Sequence, residues 1–146
     1  MNTEAKLALI HKHLDAEGAG DIETACSVYA EGIEHDGVGV PGSPRFGVEA
    51  AKGFYTWLTA NIRTTGEKPL HQFVTETGAI VMEAEMSADV VGEFMGIPGH
   101  GRNITFRIMH VFEFDDSLII REQVWLDTAS IMGQLSGAPA EVAATA

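Results

Sequence analysis

The sequence has few cysteines and few basic residues. Cys26 is its one cysteine among 146 residues, so the chain can form no internal disulfide and no cysteine-based metal site. Nine Lys and Arg residues stand against 21 Asp and Glu residues, for a formal net charge of −12. Nucleic acids and anionic membranes are therefore poor partners, because binding to phosphates depends on basic side chains.

Long apolar segments and targeting signals are also missing. No apolar run approaches the roughly 20 residues of a membrane span, and the N-terminus lacks the charged and apolar regions of a signal peptide. We therefore expect a cytoplasmic protein without a membrane partner.

Motifs for common cofactors are absent as well. The sequence contains no Walker A motif, no dinucleotide-binding glycine pattern after a strand, and no Gly-x-Ser-x-Gly nucleophile elbow. His11 and His13 fall on different faces of a helix, and no His, Cys and carboxylate cluster recurs. We expect no metal and no cofactor.

The hydrophobic pattern predicts a single α+β domain. Helical spacing runs from Leu7 to Leu14, from Ile22 to Tyr29 after an Asp21 N-cap, and from Val48 to Ile62, with a Gly-rich loop over 35–47. Strand-like runs follow at 71–76, 79–90, 103–114 and 118–127. A sheet that curls around three helices leaves a cavity between them. We assign 1–135 to the domain and 136–146, rich in small residues, to a flexible tail.

Two adjacent strands carry ionisable groups. His110 shares one strand face with Phe106, Ile108, Phe112 and Phe114, which places an imidazole in an apolar stripe. After the turn at 115–117, the returning strand carries one further set of residues on a single face: Arg121, Gln123, Trp125 and Asp127. This pattern predicts a pocket with acid and base groups in apolar surroundings.

Four segments, taken in order, resemble the SnoaL-like polyketide cyclases, which have the nuclear-transport-factor-2-like fold. They are Ala19 to Asp21, Gly47 to Tyr55, Gly96 to Arg102, and Val124 to Asp127 leading into 131–135. The resemblance spans nearly the whole chain and implies a cone-shaped barrel, in which a curved, mainly antiparallel sheet wraps around three N-terminal helices. Ketosteroid isomerase and limonene epoxide hydrolase have the same fold.

The resemblance also implies roles for individual residues. Asp127 matches the aspartate that ends the last strand and acts as acid or base in the cyclases. His110 matches a pocket histidine of the cyclases and the oxyanion-hole position of the isomerase. His35 falls near the base of the isomerase, although Asp36 is an alternative match.

The chain differs from the hydrolase at one place and from the isomerase at another. Where the hydrolase carries an arginine and an aspartate, this sequence has Glu83 and Glu85, so an arginine needed for that mechanism is missing. The tyrosine of the isomerase on helix one corresponds to His13, yet helix geometry places His11 nearer the centre of the apolar face.

Most of these residues also have a purely structural interpretation. Asp127 is a favourable N-cap for a helix that begins near Thr128, and His110 is compatible with a core histidine that makes one hydrogen bond. The alternation around Glu83 and Glu85 is compatible with both carboxylates facing solvent. The candidate catalytic residues are Asp127, His110, His35 and Glu85, and the candidate substrate-binding residues are Trp125, Phe54, Trp57, Glu83, His13 and Phe112.

Two classes of function follow. In the first, Asp127 moves a proton next to a carbonyl and His110 stabilises the enolate, as in an aldol cyclase, isomerase or dehydratase that acts on a small apolar molecule. In the second, the domain binds a small molecule or assembles without catalysis. A hydrolase of the epoxide type, with Asp127 and Glu85 sharing a water, is a further alternative.

The fold also implies a homodimer through the outer sheet face that carries Arg107, Met109, Val111 and Glu113.

Overall fold

A computed structural model describes residues 1–137, and the predicted tail falls outside this range from residue 138 onward. The described residues form an α+β fold, which confirms the predicted class. Their elements, in chain order, are α1 Thr3–Gly18, α2 Ile22–Cys26, β1 Tyr29–Val38, β2 Arg45–Phe46, α3 Val48–Asn61, β3 Ile62–Val74, β4 Ile80–Val90, β5 Glu93–Phe94, β6 Ile97–Pro98, β7 Arg102–Phe114, β8 Ile119–Leu126 and α4 Thr128–Ser136.

Six strands form one curved mixed sheet in the order β2-β1-β8-β7-β4-β3. Strands β1 and β8 run parallel, and the other neighbouring strands run antiparallel. The short strands β5 and β6 pair as a separate hairpin between β4 and β7. This order brings β1, β8 and β7 side by side in the middle of the sheet.

The turn between α1 and α2 follows local signals in the sequence. Gly20 has a φ of 75°, a left-handed conformation that glycine adopts without a steric penalty, and α1 ends just before it. The Asp21 carboxylate then accepts a hydrogen bond from the Thr24 amide and caps α2. The turn at 17–20 consequently lies at the wall of the cavity described below.

Strands replace predicted helix and loop at three places. The second helix ends at Cys26, and Tyr29 begins β1 instead of continuing the helix. The predicted loop over 35–47 contains the end of β1 and all of β2, so His35 lies on a strand, and β3 starts at Ile62 instead of residue 71. In each case pairing with a distant strand outweighs local propensity, as in the parallel register of His35 with Glu122.

Two apolar clusters fill the space between the helices and the sheet. One includes Ile10 of α1, Tyr55 of α3 and Phe112 of β7, and the other includes Ile104 of β7 and Ile131 of α4. Within residues 1–137, no helix is long and apolar enough to cross a membrane.

Candidate active site

A cavity of about 410 Å³ lies between the helices and the concave side of the sheet. Its wall is mostly apolar, with contributions from α3, β4, β7, β8 and α4. The residues with polar side chains in this wall are Glu17, His35, Tyr55, Thr59, Arg63, Thr64 and His110. Arg63 is paired with Asp89 at 2.7 Å and mainly exposed, so the carboxylate, imidazole and phenol groups define the chemistry of the wall.

The inner face of β7 is the face that the sequence predicts. Phe106, Ile108 and His110 line the cavity. Phe112 continues the same face but is fully buried, and its ring stacks on the His110 imidazole with centroids 5.5 Å apart. Phe112 therefore supports His110 from the core.

The face of β8 that was expected to line the pocket, which carries Trp125, lies outside it, and the other face of the strand lines the cavity. Val124 and Leu126 line the cavity and Glu122 is fully buried, whereas Trp125 is 45% exposed and donates a hydrogen bond to Gln123. The pairing of β7 with β8 shifts between Glu113 and Phe114, because Phe114 lies opposite Ile119 and Glu113 opposite Arg121, which leaves Ile120 as an extra residue. From this point on the inward positions of β8 are 122, 124 and 126. Trp125 accordingly lies outside the cavity.

Glu122 is the centre of a buried polar cluster that the sequence analysis missed. Tyr29 donates a short hydrogen bond to Glu122 Oε2, and the Tyr55 hydroxyl lies 3.4 Å from Oε1 and donates to it. The His13 Nε2 atom is 3.3 Å from Oε2. One carboxylate is thus held by α1, β1 and α3 together.

His13 occupies the inner face of α1, with Ile10 and Ala16 buried beside it, while His11 is exposed. The match to the isomerase therefore located the inward histidine correctly, and the apolar spacing that favoured His11 did not. The His13 Nδ1–H group donates to the Ala25 carbonyl at 2.8 Å, which fixes the ring and directs Nε2 toward Glu122.

Charge is separated within this cluster. Burial lowers the pKa of His13, but the charge and hydrogen bond of Glu122, the charge of Glu17 and the hydrogen bond to Ala25 together outweigh burial and raise it from 6.5 to about 9. Burial raises the pKa of Glu122, and His13 together with its hydrogen bond brings it well below the usual range. At neutral pH the pair is an imidazolium and a carboxylate, both fully buried.

Tyr55 and His35 connect this ion pair to the cavity. Both line the wall, and His35 Nε2 lies 3.0 Å from the Tyr55 oxygen. Because the Tyr55 hydroxyl donates to Glu122, His35 Nε2–H donates to Tyr55, and the lone pair of Nδ1 is left without a partner among the described residues. Burial lowers the pKa of His35, so its ring is neutral.

His110 is the second neutral imidazole of the wall. Its Nε2 atom is 3.8 Å from Glu122 Oε1, beyond hydrogen-bond distance, so its ring nitrogens are available to a ligand. Burial lowers its pKa from 6.5 to about 4. His110 also contacts a second, smaller cavity of about 200 Å³ that lies toward β3.

Phe54 lines the cavity and packs against the His35 ring with centroids 4.7 Å apart. Trp57, one turn further along α3, packs on Phe54 at 6.1 Å but does not reach the cavity wall. Helical spacing explains the difference, since 54, 55 and 58 share the inward face and 57 lies at its edge.

Glu83 and Glu85 lie on the outer side of β4, as their structural interpretation predicts. Glu83 is paired with Arg107 and with His71, whose Nδ1 is 2.8 Å from its carboxylate, and Glu85 is exposed. Neither lines the main cavity, because Ala84, Met86 and Ala88 alternate with them toward the inside.

Asp127 is exposed and acts as the N-cap of α4. Its carboxylate accepts a hydrogen bond from the Ser130 amide at 3.1 Å, and it is not part of the cavity wall. The structure thus places Asp127 and His110 apart, on the outside and inside of the same sheet region.

We expect Asp127→Ala to lower the free energy of unfolding by about 1 kcal/mol, because it removes this cap. Asp127→Asn keeps an acceptor and should retain most of that stability. Urea titration of the three proteins measures the effect. An unchanged midpoint for Asp127→Ala would contradict the capping role.

Among the described residues, no group of three or more His, Cys, Asp or Glu side chains has the arrangement to hold a metal ion. His13 is instead directed at the Glu122 carboxylate and the Tyr29 hydroxyl, and His35 at the Tyr55 hydroxyl.

Residues 9–135 match the family model for the SnoaL-like polyketide cyclases, and the chain belongs to this family. TsrD from Streptomyces laurentii is 18% identical, with a TM-score of 0.78 over 94% of this chain and 99% of that one. A protein provisionally assigned as a polyketide cyclase from Xanthomonas campestris is 19% identical, with a TM-score of 0.77 over 93% and 100% of the two chains.

An epoxide hydrolase of the limonene epoxide hydrolase type from M. tuberculosis is 16% identical, with a TM-score of 0.69 over 91% of this chain and 90% of that one. No curated protein sequence gives a significant match. At these identities the solved structures establish the fold, and the chemistry depends on the residues of this chain.

Proposed function

We propose that this protein is a cofactor-free acid/base enzyme that acts on a small, apolar, carbonyl-containing molecule. One observation carries the proposal: an apolar cavity ends at two neutral imidazoles and a phenol, which are backed by a buried ion pair. Such an arrangement places proton donors and acceptors in a site of low polarity, where each hydrogen bond to a developing charge is strengthened.

His110 is the proposed donor to the substrate carbonyl. Its low pKa keeps the ring neutral at pH 7, so it offers an N–H group without carrying a charge. As the carbon next to the carbonyl loses a proton, negative charge develops on the carbonyl oxygen and this hydrogen bond strengthens. Tyr55 and His35 complete the polar end, where His35 Nε2 holds the Tyr55 hydroxyl at 3.0 Å.

The mechanism of the epoxide hydrolases has less support here. Asp127 caps α4 on the outside, Glu85 is exposed, and neither contacts the cavity in which they would share a water. Aldol cyclisation, isomerisation and dehydration remain the reactions that a cavity-bound carbonyl suits.

Two probes test the proposal without the natural substrate. Binding of 2-naphthol, a flat apolar molecule with one hydroxyl, is followed by its fluorescence. Catalysis is followed by mass spectrometry as the loss of deuterium from 2-tetralone labelled next to its carbonyl. We expect saturable binding and protein-dependent loss of deuterium. Binding without exchange would instead support a non-catalytic ligand-binding domain.

A matched pair of variants tests whether 2-naphthol binding and deuterium loss both take place in the cavity. Ala88→Phe adds a ring inside the cavity, whereas Ser87→Phe adds the same ring on the outer face of the same strand. We expect Ala88→Phe to abolish binding and exchange, and Ser87→Phe to retain both. Retention of binding in Ala88→Phe with native circular dichroism would show that the ligand binds elsewhere.

We also propose a homodimer through the outer sheet face. Met109 and Trp125 are cross-strand partners there and are 37% and 45% exposed. Light scattering should give twice the monomer mass for the wild type and the monomer mass for Trp125→Lys. A monomeric wild type at micromolar concentration would contradict the proposal.

A further inference from the structure

We propose that Glu17 is the proton acceptor of this site, a role that rests on the proposed acid/base function. Among the described residues, it is the only carboxylate in the wall of the main cavity. Glu17 stands one turn after His13 on α1, and its Oε2 atom is 3.6 Å from His13 Nε2. The spacing of four residues places both side chains on the same helix face.

The carboxylate of Glu17 is free to take up a proton. In residues 1–137, no hydrogen-bond donor lies within bonding distance of it, and its nearest cationic neighbour, His13, is committed to Glu122. Glu122 has the opposite character, because two tyrosines and His13 hold its carboxylate and it does not line the cavity. Glu17 is therefore the carboxylate that a ligand in the main cavity can reach, whereas Glu122 is fully buried.

The neighbours of Glu17 adjust its basicity. Burial raises the pKa of its carboxyl from 4.5 to about 7, against the opposing effect of His13 on the same helix. Glu122 on β8 and Glu67 on β3 raise it further through charge repulsion. The side chain keeps 24% of its surface exposed, so it exchanges protons with solvent. A base is most effective when its pKa lies near the working pH.

In the proposed step the C–H bond next to the substrate carbonyl breaks, and its proton moves to the Glu17 carboxylate. The electron pair of that bond moves into the enolate, whose oxygen accepts a hydrogen bond from His110. Return of the proton from Glu17 to carbon, or to the new alkoxide after a carbon–carbon bond has formed, restores the carboxylate. The neutral histidines are less suited to this step, because burial lowers the pKa of both.

The test is the pH profile of deuterium loss from labelled 2-tetralone, measured from pH 5.5 to 8.5. For the wild type, kcat/KM should rise with pH through about 7 and then level off, since the ionised carboxylate is the active form. Glu17→Gln should lower kcat by about 10²- to 10⁴-fold and remove this dependence, while 2-naphthol still binds. Glu17→Asp should keep the dependence at a reduced rate.

Glu67→Gln is the matched control. Glu67 is exposed, lies beside the second cavity, and contributes the same kind of charge near Glu17. Its replacement should leave kcat unchanged and move the midpoint of the profile to lower pH, because one repelling charge is lost. A Glu17→Gln variant with wild-type rate and pH dependence would overturn this role while leaving the acid/base function intact. Wild-type protein that binds 2-naphthol without exchange would overturn both.

Discussion

Glu122→Gln should lower the free energy of unfolding by about 3 to 5 kcal/mol, measured by urea denaturation at pH 7. Glutamine has nearly the same shape as glutamate but leaves the buried His13 imidazolium without its counter-ion. It also replaces a charged acceptor of two tyrosine hydroxyls with a neutral one. The size of the loss reflects the cost of an uncompensated charge in the core.

Glu113→Gln provides the comparison for this variant. Glu113 also forms an ion pair, with Arg121 at 3.1 Å, but both side chains are partly exposed on the outer face. Its replacement should cost less than about 1 kcal/mol. Equal effects of the two substitutions would contradict the assignment of Glu122 as the anchor of the buried cluster.

The second large effect is a loss of stability at alkaline pH. The folded protein holds the pKa of His13 at about 9, compared with 6.5 for the unfolded chain. Stability from this group is therefore complete below pH 6.5 and is lost as pH rises through 9. The difference corresponds to about 3 kcal/mol. Urea denaturation at pH 6.5, 7.5, 8.5 and 9.5 should show this decline.

Other groups act mainly outside this window. Glu17, whose pKa is raised from 4.5 to about 7, contributes stability that is lost as pH rises between those values. The pKa of Cys26 is raised from 9.0 to about 11, so its contribution is complete below pH 9 and is lost as pH rises above it. Glu122→Gln removes the largest of the contributions that raise the pKa of His13 and should make the decline shallower. A wild-type protein with constant stability from pH 7.5 to 9 would contradict a charged His13.

The fold could be predicted from the sequence because its signals are local and their order is characteristic. Helical spacing located α1 and α3, and alternation identified β4, β7 and β8. Alternation also placed His110 on the inner face of β7. The signals failed at β1, where Tyr29 continues a helical pattern and glycines suggest a loop, yet parallel pairing with β8 determines the structure.

The buried cluster was harder to predict for a related reason. Glu122 and Tyr55 are 67 residues apart in sequence, and Tyr29 is 93 residues from Glu122, so no local pattern joins them. A usable signal existed on β8, where Glu122 alternates with Val124 and Leu126 as a single charge on an apolar face. The aromatic ring of Trp125 and the family match of Asp127 directed attention to the opposite face.

The catalytic residues predicted from the sequence were Asp127, His110, His35 and Glu85. The structure places His110 and His35 in the cavity wall, close to the buried cluster of His13, Tyr55 and Glu122, and leaves Asp127 and Glu85 outside it. Asp127 follows its local role, since an aspartate directly before a helix caps it. The cavity wall carries ionisable groups in apolar surroundings, and their catalytic roles stay predictions. The positions of Glu17, Tyr55 and Glu122 required tertiary contacts.

The most direct test is ¹⁵N NMR of the histidine side chains from pH 4 to 10. It reports the protonation of each ring separately and needs no substrate. We expect His13 to remain an imidazolium up to about pH 9, and His110 to stay neutral down to about pH 4. A neutral His13 at pH 7, or a His110 that titrates near pH 6.5, would contradict a cavity that ends at neutral imidazoles backed by a buried ion pair.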